Sequence, residues 1–194
     1  MADARRLPIN DPAALRQACV VIQSGAILAY PTDTLYGLGA DATNAGAVDR
    51  LNRLKGRSGP LSVIAPDANT ALRWSTLNPG QYKLARPYLG GPQTLILPVR
   101  PGLVVPAVLG PGDTLGIRVP DQSFILRVAA ATGVPITTTS VNRSGQPPLN
   151  DPELIMESFG SEIALLIDAG QLQESPGSVI YRWISGRIEL IKRR

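Results

Sequence analysis

Apolar residues recur along this chain in two alternating rhythms. Leu15, Ala18, Cys19 and Ile22 follow the three-and-four spacing of one helical face. Asn10-Asp11-Pro12 ahead of them supplies a cap and a first-turn proline, and Gly25 supplies a stop. The short apolar run Ala26 to Ala29 then reads as a buried strand. The helical rhythm returns at Ala47, Leu51 and Leu54, with Asn44 as its cap. Beyond it the pattern predicts strands at 61–65, 94–99, 115–119, 135–139 and 163–167. It predicts helices at 68–74, 79–88, 123–131 and 152–159. The Pro- and Gly-rich stretch 101–112 reads as a loop. Strands at 178–183 and 187–191 flank Ser185-Gly186 as a closing hairpin. Strands alternating with helices predict an α/β fold, an open twisted sheet flanked by helices, and the hairpin makes that sheet mixed. No repeat or internal boundary interrupts the pattern, so a single domain over 1–194 is expected.

Composition narrows the function mainly by what is missing. The 194 residues include no histidine, which removes Ser–His and Cys–His catalysis and any histidine-based metal site. The one cysteine, Cys19, rules out an internal disulfide, fits a reducing compartment and reads as core filler on its helix. No apolar run reaches membrane-spanning length, and no signal-like apolar run follows Arg5-Arg6. A cytoplasmic protein without membrane association is therefore expected. A formal charge of +4 suits anionic partners, whether nucleotide, phosphate or RNA, without choosing among them.

Polar segments break the apolar pattern where predicted elements end. Ala29-Tyr30-Pro31-Thr32-Asp33-Thr34-Leu35-Tyr36-Gly37-Leu38-Gly39 leaves the first strand, and Pro31 cannot donate to a sheet ladder. Such a loop of hydroxyls and a carboxylate is either a ligand loop of an α/β sheet or a solvated turn. Lys55-Gly56-Arg57 closes the second helix. It reads as an ordinary basic helix end with a glycine stop, or as a phosphate clamp of a point charge and a fork. In Thr137-Thr138-Thr139-Ser140-Val141-Asn142-Arg143-Ser144-Gly145, hydroxyls run from a strand into a turn. Ser140 and Asn142 would share one face of an extended backbone, unless their side chains simply close the turn. Arg118 lies within an apolar strand, where an unpaired cation is costly, so it must either reach the sheet edge or meet an anion. Gly37-x-Gly39-x-x-Ala42 formally fits a dinucleotide fingerprint. It stands several residues from its strand and has no acidic residue about 20 positions on. The Gly-rich phosphate loop of P-loop enzymes is absent, so nicotinamide-dependent hydride transfer and P-loop phosphoryl transfer are both excluded.

In combination, the Tyr30 to Gly39 segment, Lys55-x-Arg57, Arg118 and Ser140-x-Asn142 resemble the YrdC/TsaC family of L-threonylcarbamoyladenylate synthases. The resemblance extends to Gly91-Pro92-Gln93-Thr94 and the closing strands. It implies a YrdC-like fold and a nucleotidyltransferase reaction. L-threonine and bicarbonate or CO2 give N-carboxy-threonine, whose carboxylate attacks the α-phosphate of ATP, leaving threonylcarbamoyl-AMP and pyrophosphate. Partner proteins then pass the threonylcarbamoyl group to adenosine 37 of tRNA. The resemblance implies Lys55 and Arg57 as catalytic residues on the phosphates, with Ser140, Asn142 and Arg143 also on ATP. It implies Thr34, Tyr36, Arg118 and Ser140 around threonine, and Mg²⁺ carried with ATP rather than in a protein cage. The reactants bring their own nucleophile and leaving group, so a protein without histidine need only position them and neutralise charge.

The chain departs from the family pattern at three places. Ser58-Gly59 leads directly to Pro60-Leu61, where relatives commonly carry a proline and a longer loop. Ile64 stands where many carry histidine, and Gly177-Ser178 where a Ser-Thr pair is common. Two other readings stay open. One is an RNA-binding module without synthase activity, against which an aromatic content of only 5% and the lack of a basic stripe argue. The other is a paralogue acting on another carbamoyl-type substrate.

Overall fold

The computed structural model describes residues 4–192. The strands are β1 (Arg5–Pro8), β2 (Leu28–Tyr30), β3 (Gly37–Gly39), β4 (Ser62–Ile64) and β5 (Gln93–Pro98), then β6 (Thr114–Arg118), β7 (Ile136–Ser140), β8 (Leu165–Asp168), β9 (Val179–Ile184) and β10 (Arg187–Lys192). They join in one sheet in the order β1-β8-β2-β3-β7-β4-β6-β5-β9-β10. β8 pairs parallel with both β1 and β2, β4 with β6, and β5 with β9. The remaining pairs are antiparallel, so the sheet is mixed as the sequence predicts.

Helices cover both faces. Side chains alternate across the pleat, so Leu28 and Tyr30 of β2 face one core and Ala29 the other. α1 (Ala14–Gln23) and α5 (Ser123–Thr132) pack on the first face through Ala18, Ile22, Phe124 and Val128. α2 (Ala45–Lys55), α3 (Ala68–Trp74), α4 (Pro79–Ala85) and α6 (Pro152–Phe159) contribute to the second core, with Leu51, Leu72 and Phe159 among its anchors.

The predicted punctuation holds at most boundaries. Asn44 caps α2 by accepting from the Ala47 N–H, and Gly56 ends it at φ 66°, a left-handed geometry that suits glycine. This places Lys55 in the last turn and Arg57 on the exit. Ser185 and Gly186 both have positive φ, as a tight two-residue hairpin turn requires. The predicted 79–88 helix stops at Ala85 and continues as a 3-10 turn over 86–88, because Pro87 has no N–H to extend the α-helical ladder.

Two strands are absent from the sequence expectation. β1 is an edge strand whose Arg5 and Arg6 are exposed, so it carries no apolar alternation. Arg6 instead anchors it by ion pairs to Asp168 at 2.8 Å and Glu153 at 2.5 Å. β3 is Gly-Leu-Gly, a composition depleted in strands. Its reason is close approach: a Cβ on Gly39 would stand 2.7 Å from the Tyr30 ring and 2.9 Å from Ile136.

α3 offers a test of local stability. Asp67 accepts from the Thr70 N–H and the Thr70 hydroxyl, both at 2.8 Å. The backbone hydrogen bond is the main cause that holds its carboxyl below the usual range. Asp67→Ala is expected to cost about 1 kcal/mol, or about 2–4 °C in melting temperature. A depressed folded value means that the stabilisation is complete above the unfolded carboxylate value and fades as pH falls through the folded one. The difference between the two proteins should therefore narrow when melts are run at progressively lower pH below 5.

Candidate active site

Near the centre of the sheet, a cleft of about 720 Å³, counted out to its mouth, opens between the β2–β3 turn, the exit of α2 and the ends of β4, β6 and β7. Its wall is rich in hydroxyls: Thr32 and Thr34 from the turn, Ser62 from β4, Thr94 from β5, and Thr138 to Ser140 from β7. The charged side chains on the wall are Arg57 and Arg118; among the described residues no Asp, Glu, Cys or Lys lines it.

The β2–β3 turn is built by Thr32. Its Oγ1 accepts from the N–H groups of Thr34 and Leu35, at 3.1 and 3.2 Å, and donates to the Leu35 carbonyl at 2.7 Å. A turn closed this way fixes Asp33 and Thr34 before any ligand arrives. Arg118, at the end of β6, reaches into the same place. Its Nη2 donates to Thr34 Oγ1 at 2.8 Å and to Asp33 Oδ1, and its Nε is buried without a partner. Burial pulls the guanidinium below its usual pKa, and the Asp33 charge opposes that pull. Of the two outcomes open to a cation in this strand, Arg118 meets an anion.

Lys55 differs from its expected setting. A basic residue at a helix end ordinarily reaches solvent, but Lys55 is only 2% exposed. Its Nζ donates to the Ser140 carbonyl and to Asn142 Oδ1, each at 2.6 Å. Asn142 Oδ1 also accepts from Ser140 Oγ at 2.7 Å, and Asn142 Nδ2 donates to the Gln146 carbonyl at 2.6 Å. Lys55, Ser140 and Asn142 thus form one network that shapes the β7 exit, and of the three only Ser140 lines the cleft. Arg57, two residues on, is exposed and does line it.

Arg143 lies outside the cleft. Its guanidinium pairs with Glu162, donates to the Leu54 carbonyl and sits 4.9 Å above the Phe159 ring. Tyr36 lines the cleft and is fully buried; its hydroxyl donates to the Gly170 carbonyl and accepts from the Ala169 N–H, both at 2.9 Å. It thereby ties the wall to the segment after β8, and burial pushes its pKa up. Ser62 carries no signal in the sequence, whereas Thr32 and Asp33 stand in the candidate ligand loop, and Thr94 and Ser178 in segments compared with the family, without individual roles assigned. Thr94 and Ser178 share a 2.8 Å hydrogen bond across 84 positions, which no local pattern could signal. Ile64 is fully buried in the core beneath α5, facing no part of the cleft.

A family model described as telomere recombination, and named for Sua5, YciO and YrdC, matches residues 20–194. This chain belongs to the Sua5/YciO/YrdC family. Within that family, the threonylcarbamoyl-AMP synthase of Bacillus subtilis is 33% identical over 167 residues, 84% of this chain and 48% of that protein. The threonylcarbamoyl-AMP synthase of Nitrosococcus oceani is 33% identical over 159 residues, 79% of this chain and 84% of that protein. The chain therefore spans about half the length of the Bacillus relative and most of the Nitrosococcus one. Pyrococcus abyssi Sua5, solved in complex with L-threonine, superposes with a TM-score of 0.79 at 30% identity, over 94% of this chain and 54% of that one. Escherichia coli YciO shares the Sua5/YciO/YrdC fold, with a TM-score of 0.86 at 22% identity over 99% of this chain and 95% of that one.

Proposed function

We propose that this chain is an L-threonylcarbamoyladenylate synthase, a nucleotidyltransferase acting on L-threonine, bicarbonate or CO2, and ATP. The observation that carries the reading is a single hydroxyl-lined cleft on which Arg118 with Thr34 and Arg57 with Ser140 converge. The threonylcarbamoyl-AMP synthases among its relatives and the threonine complex of Pyrococcus Sua5 support the substrate assignment.

In this reading Thr34 and Arg118 receive the amino-acid carboxylate, and Tyr36 walls off the side chain. The amine, once carboxylated, presents a carbamate oxygen to the α-phosphorus of ATP. A new P–O bond forms there as the bond to the β-phosphate oxygen breaks, and pyrophosphate leaves with the electron pair. Arg57 neutralises charge on the phosphates, where a charge-assisted contact has its largest effect in the transition state. Ser140 meets the nucleotide, Lys55 and Asn142 hold Ser140 in place, and Arg143 braces the same loop from outside. Mg²⁺ is carried in on the triphosphate, because the wall offers hydroxyls and cations instead of carboxylates. Partner proteins would then move the product's threonylcarbamoyl group to adenosine 37 of tRNA. Among the described residues no helix is long and apolar enough to cross a membrane, and a cytoplasmic location fits the single cysteine.

The test is pyrophosphate release from ATP with and without threonine and bicarbonate. Release that requires all three substrates is expected. Release unaffected by omitting threonine overturns the assignment.

A further inference from the structure

The fork of Arg118 is only half occupied within the protein, and the reason lies in Asp33. A carboxylate facing a guanidinium ordinarily engages it with both oxygens. Here Asp33 Oδ1 accepts from Arg118 Nη2, while Oδ2 is diverted to the Asp121 N–H at 2.9 Å, in the turn between β6 and α5. The pair is well shielded, with side-chain exposures of 8% for Arg118 and 11% for Asp33. Asp33 does not line the cleft. It borders the neighbouring hollow that Leu172 to Ser175 close. Arg118 does line the cleft, and its Nε is buried and unpartnered.

We propose that Asp33 is a positioning residue for the amino-acid ligand: it immobilises Arg118 through Nη2 alone and leaves the rest of the fork for an incoming carboxylate. The inference rests on the assignment of Arg118 to the threonine carboxylate. Its physical basis is the long arginine side chain, which is rich in rotamers and binds better when frozen beforehand. Asp33 and Thr34 supply that restraint from one turn, which Thr32 holds rigid. Since Asp33 also cancels charge next to the ligand, its benefit is geometric and runs against simple electrostatics. The two contributions therefore have opposite signs in a mutant.

The experiment is a double-mutant cycle of Asp33→Asn and Arg118→Lys, followed by threonine and ATP KM values in pyrophosphate release, threonine affinity by calorimetry, and melting temperature. Asp33→Asn is expected to raise threonine KM about tenfold, the size of one weakened charge-assisted bond, while ATP KM stays within about twofold. Arg118→Lys should do the same, because lysine cannot reproduce the fork. The double variant should be no worse than Arg118→Lys alone, since a point charge has no fork to orient. A role confined to holding the 121 turn would instead make the losses multiply and lower the affinity of both substrates. Unchanged or tighter threonine binding in Asp33→Asn overturns the proposal while leaving the threonine-dependent turnover of the parent protein intact. A parent protein that neither binds nor needs threonine overturns both readings. If Asp33→Asn does not fold, Asp33→Glu completes the same cycle, with the charge kept and the carboxylate displaced by one methylene.

Discussion

Lys55→Met is expected to lower the melting temperature by about 6–12 °C and to reduce turnover more than tenfold. The basis is the burial of Nζ between the Ser140 carbonyl and Asn142 Oδ1. Removing the ammonium takes one charge-assisted donor from the Ser140 carbonyl and one from Asn142 Oδ1, which keeps Ser140 Oγ, and a total of about 3 kcal/mol corresponds to that shift in a chain of this length. The catalytic loss follows from the same contacts, because Ser140 is positioned by them and sits on the cleft wall. Thermal denaturation followed by circular dichroism and pyrophosphate release on the same sample check both parts. An unchanged melting temperature with abolished turnover would return Lys55 to the direct phosphate role that the sequence resemblance implies.

Arg57→Ala should show the opposite profile. Its side chain is exposed and lines the cleft, while its structural duty, donation from its backbone N–H to the Asn52 carbonyl at 3.1 Å, survives the substitution. Turnover with saturating threonine is expected to fall roughly ten- to a hundredfold, the loss of one charge-assisted contact of about 1.5–3 kcal/mol made in the transition state. The melting temperature should move by less than about 1 °C, as for other surface substitutions. A stability loss equal to that of Lys55→Met would mean that Arg57 is part of the helix end and not of the chemistry.

The contrast between these two cations shows where sequence reading succeeds and where it stops. Capping and stopping residues speak locally: Asn44, Gly56 and Gly133 mark their boundaries because a side-chain acceptor or a positive φ is needed within a few residues. The core alternation in β4 and β8 is equally local. Lys55 carried a signal that the basic helix-end pattern masks. It stands four residues after Leu51 and seven after Val48, on the buried stripe of α2, where a long polar side chain must find buried partners. Arg118 was legible because a cation among apolar strand residues must reach the sheet edge or meet an anion. Its partner, Asp33, was not, since the pairing spans 85 positions and depends on the register that brings the β2–β3 turn to the end of β6. β3 was hidden for a different reason: its two glycines answer a crowding by Tyr30 that only the folded chain displays.

The composition of the cleft wall has a consequence for how this protein would respond to acidity. Hydroxyls of serine and threonine do not titrate in water's ordinary range, no carboxylate or amine lines the described wall, and burial moves the Tyr36 phenol further from neutrality. The wall therefore offers no group whose ordinary titration falls between about pH 5 and 9. A rate profile across that interval should trace the amine of the substrate, the bicarbonate equilibrium and the nucleotide's terminal phosphate, and should shift when a substrate analogue with a different amine basicity replaces the natural one. Acidity would act on the reactants, with the surrounding protein serving as a fixed-charge vessel.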